Sequence, residues 1–217
     1  MIKACLFDMD GVLFDTERMG SYFMGLAVAR QGFTLDEEHF LQLLGCNMKV
    51  ICAKLDEWYD GKIDHHRFGC DWRDVTLDHM REHGMPLQPY AAEILHALRK
   101  RGIRLALCTS NTAEVTAEYL RIAGWTELFD QVVTGEMVAH GKPAPDVYLK
   151  AAELLGVSPA ACAGIEDSPG GLRAVRSAGM LSIMVPDRIP YSAEIAPNVD
   201  LCLDSLAMLE QAILDKE

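Results

Sequence analysis

The 217-residue sequence has no hydrophobic run long enough to cross a bilayer and no cluster of Lys and Arg. Its formal net charge is -12, which argues against a nucleic-acid-binding surface. The seven cysteines are scattered and include no CxxC pair, so neither a zinc site nor a redox motif is indicated. The N-terminus lacks the basic start and cleavage site of a signal peptide. We therefore expect a soluble, reduced, cytoplasmic protein that binds neither nucleic acid nor membrane.

From about residue 90 onward, short apolar runs alternate with helical patterns, and glycines end several of the helices. This alternation with short connections predicts an α/β fold, a doubly wound parallel sheet of Rossmann-like type. In such sheets ligands bind beyond the carboxyl ends of the strands. The predicted strands after the first are Ile103–Cys108, Phe129–Thr134, Ala161–Ile165 and Leu181–Val185, and the predicted helices are Asn111–Ala123, Pro145–Leu155, Gly170–Ala178 and Ser205–Asp215.

The region from residue 17 to about 85 has a different pattern, with four helical segments and no convincing strand. We interpret it as a helical domain, residues 16–85, inserted into an α/β core formed by residues 1–15 and 86–217. Because the insert leaves the core at the end of the first strand, we expect it to lie as a cap over the carboxyl ends of the strands. Its predicted helices are Glu17–Gln31, Asp36–Leu44, Lys49–Trp58 and His65–His83.

The stretch FDMDGVLFDTE follows the mostly apolar run Ile2–Phe7 and places carboxylates at the end of a predicted buried strand. Asp8 and Asp10 are two residues apart, so on an extended backbone their side chains point the same way. Gly11 then permits a tight turn. Such a pair is costly to bury but suits a magnesium ion, which prefers oxygen ligands. Taken alone, the pair is equally consistent with a solvated acidic turn.

The next predicted strand ends at Cys108 and is followed by Thr109, Ser110 and Asn111, then by a helical pattern. Hydroxyls and backbone N–H groups at the start of a helix form an anion site. Simple N-capping by Asn111 or Thr112 also explains these residues. Since capping does not exclude anion binding, all three remain candidates for binding a phosphate.

Lys142 lies in the stretch HGKPAPDVYL, ahead of another predicted helix. A single lysine in a loop is usually a solvated surface charge. Held between Gly141 and Pro143, it could instead be a fixed cation for a phosphate.

Glu166 and Asp167 end a further predicted strand, before a glycine-rich helix start. Helix capping by Asp167 or Ser168 explains this pair about as well as metal binding does.

The common location of the four features favours a functional interpretation over the separate structural ones, because each follows a strand, or lies between strands, at one edge of the predicted sheet. Together they provide oxygen ligands, anion donors and a cation, which phosphoryl transfer requires. A carboxylate can be the nucleophile in that reaction.

The segments FDMDGV, LCTSN, GKPAPDVYL and GIEDSPGG, in this order and spacing, resemble the four motifs of the haloacid dehalogenase-like (HAD) hydrolase superfamily. The helical insert resembles that of the β-phosphoglucomutase-like and sugar-phosphate phosphatase subgroup. The resemblance implies Asp8 as nucleophile, Asp10 as general acid that later activates water, and Lys142 as the cation joining phosphate and nucleophile. It also implies that Thr109 and the backbone after it bind phosphate. The implied Mg²⁺ ligands are Asp8, Asp10 through its carbonyl, Glu166 and Asp167.

Within this superfamily, Asp10 favours phosphoester chemistry, because dehalogenases lack the second aspartate. Gly20 stands where the mutases carry a histidine, and the stretch beginning at Gly45 lacks their Gly-x-x-Arg element. We therefore favour a phosphatase acting on a small phosphorylated metabolite, with Asn47 and Lys49 as candidate substrate contacts. The alternatives are a phosphosugar mutase and, more distantly, a receiver-like phosphoacceptor regulator. We expect a monomer or small homo-oligomer, and the sequence does not identify the substrate.

Overall fold

A computed structural model describes residues 1–43, 46 and 48–215 of the chain. The chain divides into two compact units, one formed by Met1–Asp15 with Met85–Glu217 and the other by Thr16–Gly84. None of the helices in these described ranges is both long enough and apolar enough to cross a membrane.

The first unit is built on a six-stranded sheet in which each neighbouring pair of strands is parallel. The strands are β1 (Ala4–Phe7), β2 (Arg104–Cys108), β3 (Gln131–Val133), β4 (Cys162–Glu166), β5 (Leu181–Met184) and β6 (Leu201–Cys202). Their order, β3-β2-β1-β4-β5-β6, is that of a doubly wound sheet, and the prediction of fold class is confirmed. The strand order reverses between β1 and β4, which is where such sheets bind ligands.

Nine helices accompany these strands in the described part of the chain. In the second unit they are α1 (Thr16–Ala29), α2 (Glu37–Leu41), α3 (Met48–Trp58) and α4 (His65–His83). In the first unit they are α5 (Ala91–Lys100), α6 (Ala113–Ala123), α7 (Asp146–Leu155), α8 (Pro169–Ser177) and α9 (Leu209–Leu214). Most helices and strands predicted from the sequence lie where the structure has them, but α2 ends at Leu41, short of the predicted Leu44, which itself lies outside the described residues.

The C-terminal region differs from the sequence prediction in two respects. The two-residue strand β6 was not predicted, because a segment this short carries no hydrophobic periodicity. The helix predicted over Ser205–Asp215 was wrong at its start, where a 3₁₀ turn over Leu206–Met208 precedes α9. The Ser205 side chain accepts a hydrogen bond from the Ala207 N–H, so it caps the 3₁₀ turn instead of an α-helix.

One face of the sheet is covered by α7, whose apolar residues pack on β1, β2 and β3. Leu6 and Ala106 of the strands form a fully buried cluster there with Tyr148 and Ala151 of α7. Because β1 is buried along its whole length, its four residues are all apolar. This packing fixes the start of α7, and hence the loop before it, at the carboxyl edge of the sheet.

The second unit has a helical core of its own. Phe40 of α2, Leu55 of α3 and Phe68 of α4 are buried together with residues of α1. Asp64 caps α4 by accepting a hydrogen bond from the Arg67 N–H, and Asp36 caps α2 in the same way through the His39 N–H. The unit is helical, as predicted, and its role as a cap remains a prediction.

The central position of β1 predicts a large cost for truncating its core side chain. Leu6→Ala should lower the free energy of unfolding by about 2 to 5 kcal/mol, because it leaves a cavity in a fully buried cluster. The matched change Leu149→Ala, on α7 but 40% exposed, should alter it by less than about 0.5 kcal/mol. Urea unfolding of both variants measures the difference, and similar values for the two would contradict this account of the core.

Candidate active site

Two acidic residues meet where β1 and β4 end. Phe7 of β1 is in register with Ile165 of β4, and the Asp8 N–H donates to the Ile165 carbonyl at 3.0 Å, which continues the ladder by one residue. Glu166 is the last residue of β4, and its side chain is fully buried. The parallel register therefore brings the Asp8 and Glu166 side chains to one place at the point where the strand order reverses.

Lys142 reaches this place from the loop between β3 and α7. Its Nζ lies 2.5 Å from Asp8 Oδ1, 2.7 Å from Glu166 Oε1 and 2.9 Å from the Cys108 carbonyl. Three acceptors therefore match the three N–H groups of the ammonium. Only 9% of the Lys142 side chain is exposed, so this is a buried ion-pair cluster and not a surface contact.

Burial and charge oppose each other in this cluster. Burial alone would lower the pKa of the Lys142 ammonium, but Asp8 and Glu166 outweigh it and hold that pKa above its ordinary range. Burial raises the pKa of Asp8, Lys142 opposes the rise, and the charges of Glu166 and Asp10 add to it. Lys142 therefore stays charged, while ionised Asp8 is costly until a further cation approaches.

Glu166 is held by Tyr148, which the sequence did not single out, and by Ser168, which the sequence indicated only as a helix cap. The Tyr148 hydroxyl donates to Glu166 Oε1 at 2.7 Å, and the Ser168 hydroxyl donates to Oε2 at 3.0 Å. The Tyr148 ring also lies under the Lys142 ammonium, 5.1 Å from the ring centre. A tyrosine on the buried face of the helix after the lysine loop was the available signal, since a buried phenol needs a hydrogen-bond partner.

Two glycines allow this site to form. Gly11 has φ +78°, and a Cβ built there would lie 2.4 Å from Asp167 Oδ2. A Cβ on Gly171, in the first turn of α8, would lie 1.8 Å from Glu166 Oε1. Side chains at either position would displace the acidic pair, so the loop after β1 and the start of α8 can approach it only as glycine.

The turn after β2 forms the opposite side of the site. Thr109 is buried, and its hydroxyl accepts a hydrogen bond from the Asn111 N–H at 3.1 Å. Ser110 is exposed. The Asn111 side chain donates from Nδ2 to Asp10 Oδ2 at 2.6 Å. Direct hydrogen bonds therefore join Lys142 to Asp8 and Glu166, and separately join Asn111 to Asp10.

Among the described residues, one group of His, Cys, Asp or Glu side chains could hold a metal ion. It consists of Asp8, Glu166 and Asp167, whose carboxylate oxygens lie within 4.8 Å of one another. An all-oxygen donor set suits Mg²⁺. The Asp10 carboxylate is not a member of that group, and the contribution of the Asp10 carbonyl remains a prediction.

The two predicted substrate contacts belong to the helical unit. Lys49 lies exposed on α3. Asn47 lies outside the described residues. Their proposed contact with substrate therefore remains a prediction.

Buried acidic residues and a lysine at the switch point of a doubly wound sheet lie where α/β proteins of this class bind ligands. The chain belongs to the haloacid dehalogenase-like hydrolase family, whose model matches residues 2–179. The resemblance noted from its four motifs is thus confirmed, as is the prediction that the protein is an enzyme of this family.

Three similar proteins illustrate this membership. Probable pseudouridine-5'-phosphatase from Drosophila melanogaster is 34% identical over 195 residues, which cover 86% of this chain and 82% of that protein. Hexitol phosphatase A from Escherichia coli is 33% identical over 213 residues, covering 95% and 93%. The crystal structure of a putative beta-phosphoglucomutase from Thermotoga maritima is 25% identical, covers 99% of both chains and has a TM-score of 0.85.

The raised pKa of Asp8 predicts that this residue destabilises the metal-free protein. The pKa of Asp8 is raised from 3.8 to about 7. The contribution of protonated Asp8 to the free energy of unfolding is therefore complete below about pH 4 and is lost as the pH rises through about 7. Asparagine at position 8 does not titrate. The free energy of unfolding of Asp8→Asn should therefore exceed that of the wild type by an amount that grows to about 1 to 2 kcal/mol as the pH rises from about 4 to about 7.

Urea unfolding in EDTA at a series of pH values measures this difference. Asp204→Asn, which makes the same substitution at an exposed carboxylate of the same unit, is the control and should change the free energy of unfolding by less than about 0.5 kcal/mol. If the difference in free energy of unfolding between Asp8→Asn and the wild type stays constant or decreases between pH 4 and 7, the raised pKa of Asp8 does not destabilise the folded protein.

Two adjacent glycines of α8 give a matched test of the close packing around Glu166. Gly171→Ala should lower the free energy of unfolding by about 1 to 3 kcal/mol, because its Cβ would overlap the Glu166 carboxylate. Gly170→Ala should cause no loss, since a Cβ there meets nothing within 4 Å and alanine favours helix. Thermal and urea unfolding compare the pair, and equal stability of the two variants would refute the proposed contact.

Proposed function

We propose that the protein is a magnesium-dependent phosphatase that hydrolyses a small sugar phosphate through an aspartyl-phosphate on Asp8. The observation that carries the proposal is the contact of 2.5 Å between Asp8 Oδ1 and the buried Lys142 ammonium. A carboxylate oriented by a fixed cation is suited to attack phosphorus, because the cation also attracts the phosphoryl oxygens.

The reaction has two steps. In the first, an Asp8 carboxylate oxygen forms a bond to phosphorus while the ester P–O bond breaks, and Asp10, as the carboxylic acid, transfers its proton to the departing oxygen. In the second, water attacks the aspartyl-phosphate as Asp10, now the carboxylate, takes a proton from it. The P–O bond to Asp8 breaks, inorganic phosphate leaves and both aspartates return to their starting states.

The remaining residues bind the phosphoryl group and the metal. In this proposal Thr109 and the backbone after it would donate hydrogen bonds to phosphate oxygens. Asp8 and Asp167, with the Asp10 carbonyl, would hold Mg²⁺, which when bound supplies positive charge at the phosphoryl group. Glu166 would complete the site; its two oxygens already accept hydrogen bonds, so its main contribution is to hold Lys142 in place.

The names of similar proteins support a phosphatase acting on a sugar or nucleoside phosphate. A putative mutase among the similar structures keeps the phosphosugar mutase as the second candidate. Gly20, where the mutases carry a histidine, favours the phosphatase. In this proposal the helical unit, residues 16–84, closes over the site, selects the substrate and excludes bulk water, and the protein acts in the cytoplasm.

Phosphate release from a panel of sugar phosphates, nucleotides and aryl phosphates tests the proposed function. With Mg²⁺ the wild type should release phosphate, EDTA should abolish the release, and Asp8→Asn should lower it by on the order of a thousandfold or more. A correctly folded wild type that releases no phosphate from the whole panel would overturn the proposal.

The same preparation distinguishes the two candidate activities. A phosphatase supplied with β-glucose 1-phosphate and a bisphosphate activator should form inorganic phosphate or no product at all. Formation of glucose 6-phosphate would instead establish the mutase.

A further inference from the structure

Asn111 contacts the proposed acid–base residue and is itself firmly held. Its Nδ2 lies 2.6 Å from Asp10 Oδ2, although the two residues are 101 positions apart in the sequence. The Asn111 N–H donates to the Thr109 hydroxyl, and its carbonyl accepts from the Gly135 N–H at 3.3 Å. The amide is therefore presented to Asp10 by a backbone that is fixed on both sides.

The backbone of Asp10 is also constrained. Gly11 donates its N–H to the Phe14 carbonyl at 2.9 Å, and Asp10 forms an isolated bridge with Phe14. A residue whose backbone is held in a turn can still rotate its carboxyl group about the side-chain bonds. The contact with Asn111 is a hydrogen bond that limits this rotation.

We propose that Asn111 is a positioning residue that orients Asp10 for proton transfer, and not primarily a ligand of the phosphate; the inference rests on the proposed function. The amide nitrogen of asparagine only donates, so Asp10 Oδ2 acts as acceptor in this contact. Because the carbonyl oxygen of a carboxylic acid is the better acceptor, this contact favours the acidic proton on Oδ1, and the amide constrains the carboxyl plane. Asn111 thereby determines which oxygen of Asp10 gives its proton to the leaving group.

This role has a consequence that a phosphate ligand would not produce. In the first step the proton on Asp10 Oδ1 passes to the departing ester oxygen as its bond to phosphorus breaks. A leaving group that departs as a stable anion does not need that proton, so it does not depend on the orientation of Asp10. Loss of a contact with phosphate would instead lower kcat/KM for every ester by a similar factor, and it would weaken the binding of inorganic phosphate.

Two aryl esters of similar shape separate these cases. Phenyl phosphate releases a basic phenolate that benefits from protonation, and 2,4-dinitrophenyl phosphate releases a stable anion. For Asn111→Ala we expect kcat/KM to fall on the order of 10-fold to 100-fold with phenyl phosphate and by less than about 3-fold with the dinitrophenyl ester. The ratio kcat/KM is the appropriate readout, because it reports the steps up to phosphorylation of the enzyme.

Calorimetric binding of inorganic phosphate to the Mg²⁺-loaded protein provides a readout that does not require turnover. Asn111→Ala should bind phosphate within about 3-fold of the wild type if Asn111 only positions Asp10. Asn198→Ala, which removes an amide from the 3₁₀ turn Ala196–Asn198 of the same unit, should leave kcat/KM for both esters and phosphate binding unchanged.

The outcomes separate the inference from the proposed function. A wild type inactive on the whole substrate panel overturns the proposed function. An active wild type for which Asn111→Ala lowers kcat/KM equally for both esters, or weakens phosphate binding about 10-fold or more, overturns the positioning role and makes Asn111 a phosphate ligand. Unchanged values for both esters would show that the contact with Asp10 has no catalytic effect.

Discussion

The structure of the site depends on the burial of the Lys142 ammonium between Asp8 and Glu166. Two carboxylates at the ends of adjacent buried strands repel each other and lose their hydration, and the Lys142 ammonium offsets part of these costs. The surrounding contacts serve this arrangement. The Tyr148 hydroxyl donates to the Glu166 carboxylate, and the Tyr148 ring lies against the ammonium. Because Gly171 has no Cβ, the start of α8 can lie directly against the Glu166 carboxylate.

The same contact connects stability with the proposed chemistry. A nucleophilic carboxylate must be ionised when the phosphate arrives, yet burial raises the pKa of Asp8 and makes its charged form costly. Lys142 opposes that rise, and a divalent ion among the nearby carboxylate oxygens would oppose it further. The site is therefore least favourable for folding in the state that lacks the metal, as expected where residues are selected for function and not for stability.

Much of this arrangement could be predicted from the sequence, because it depends on strand ends and on short motifs. The alternation of apolar runs and helical patterns predicts the sheet, and the parallel register then places Asp8 beside Glu166.

The role of Asn111 could not be predicted in this way. Its sequence context fits a helix cap or a phosphate ligand, whereas its side chain contacts Asp10 between the turns that follow β2 and β1. The contacts of Tyr148 and the close approach of Gly171 likewise depend on helix packing, which local sequence patterns do not specify. The strand β6 was missed because two residues carry no periodic signal.

The central claim is that Asp8 forms a covalent bond to the phosphoryl group. Rapid acid quenching of the enzyme during turnover, followed by borohydride reduction, converts an aspartyl-phosphate to homoserine, which mass spectrometry of the N-terminal peptide can locate. The account predicts homoserine at position 8, only when substrate and Mg²⁺ are both present. Phosphate release without any modified aspartate, or modification at another residue such as Asp10, would contradict it.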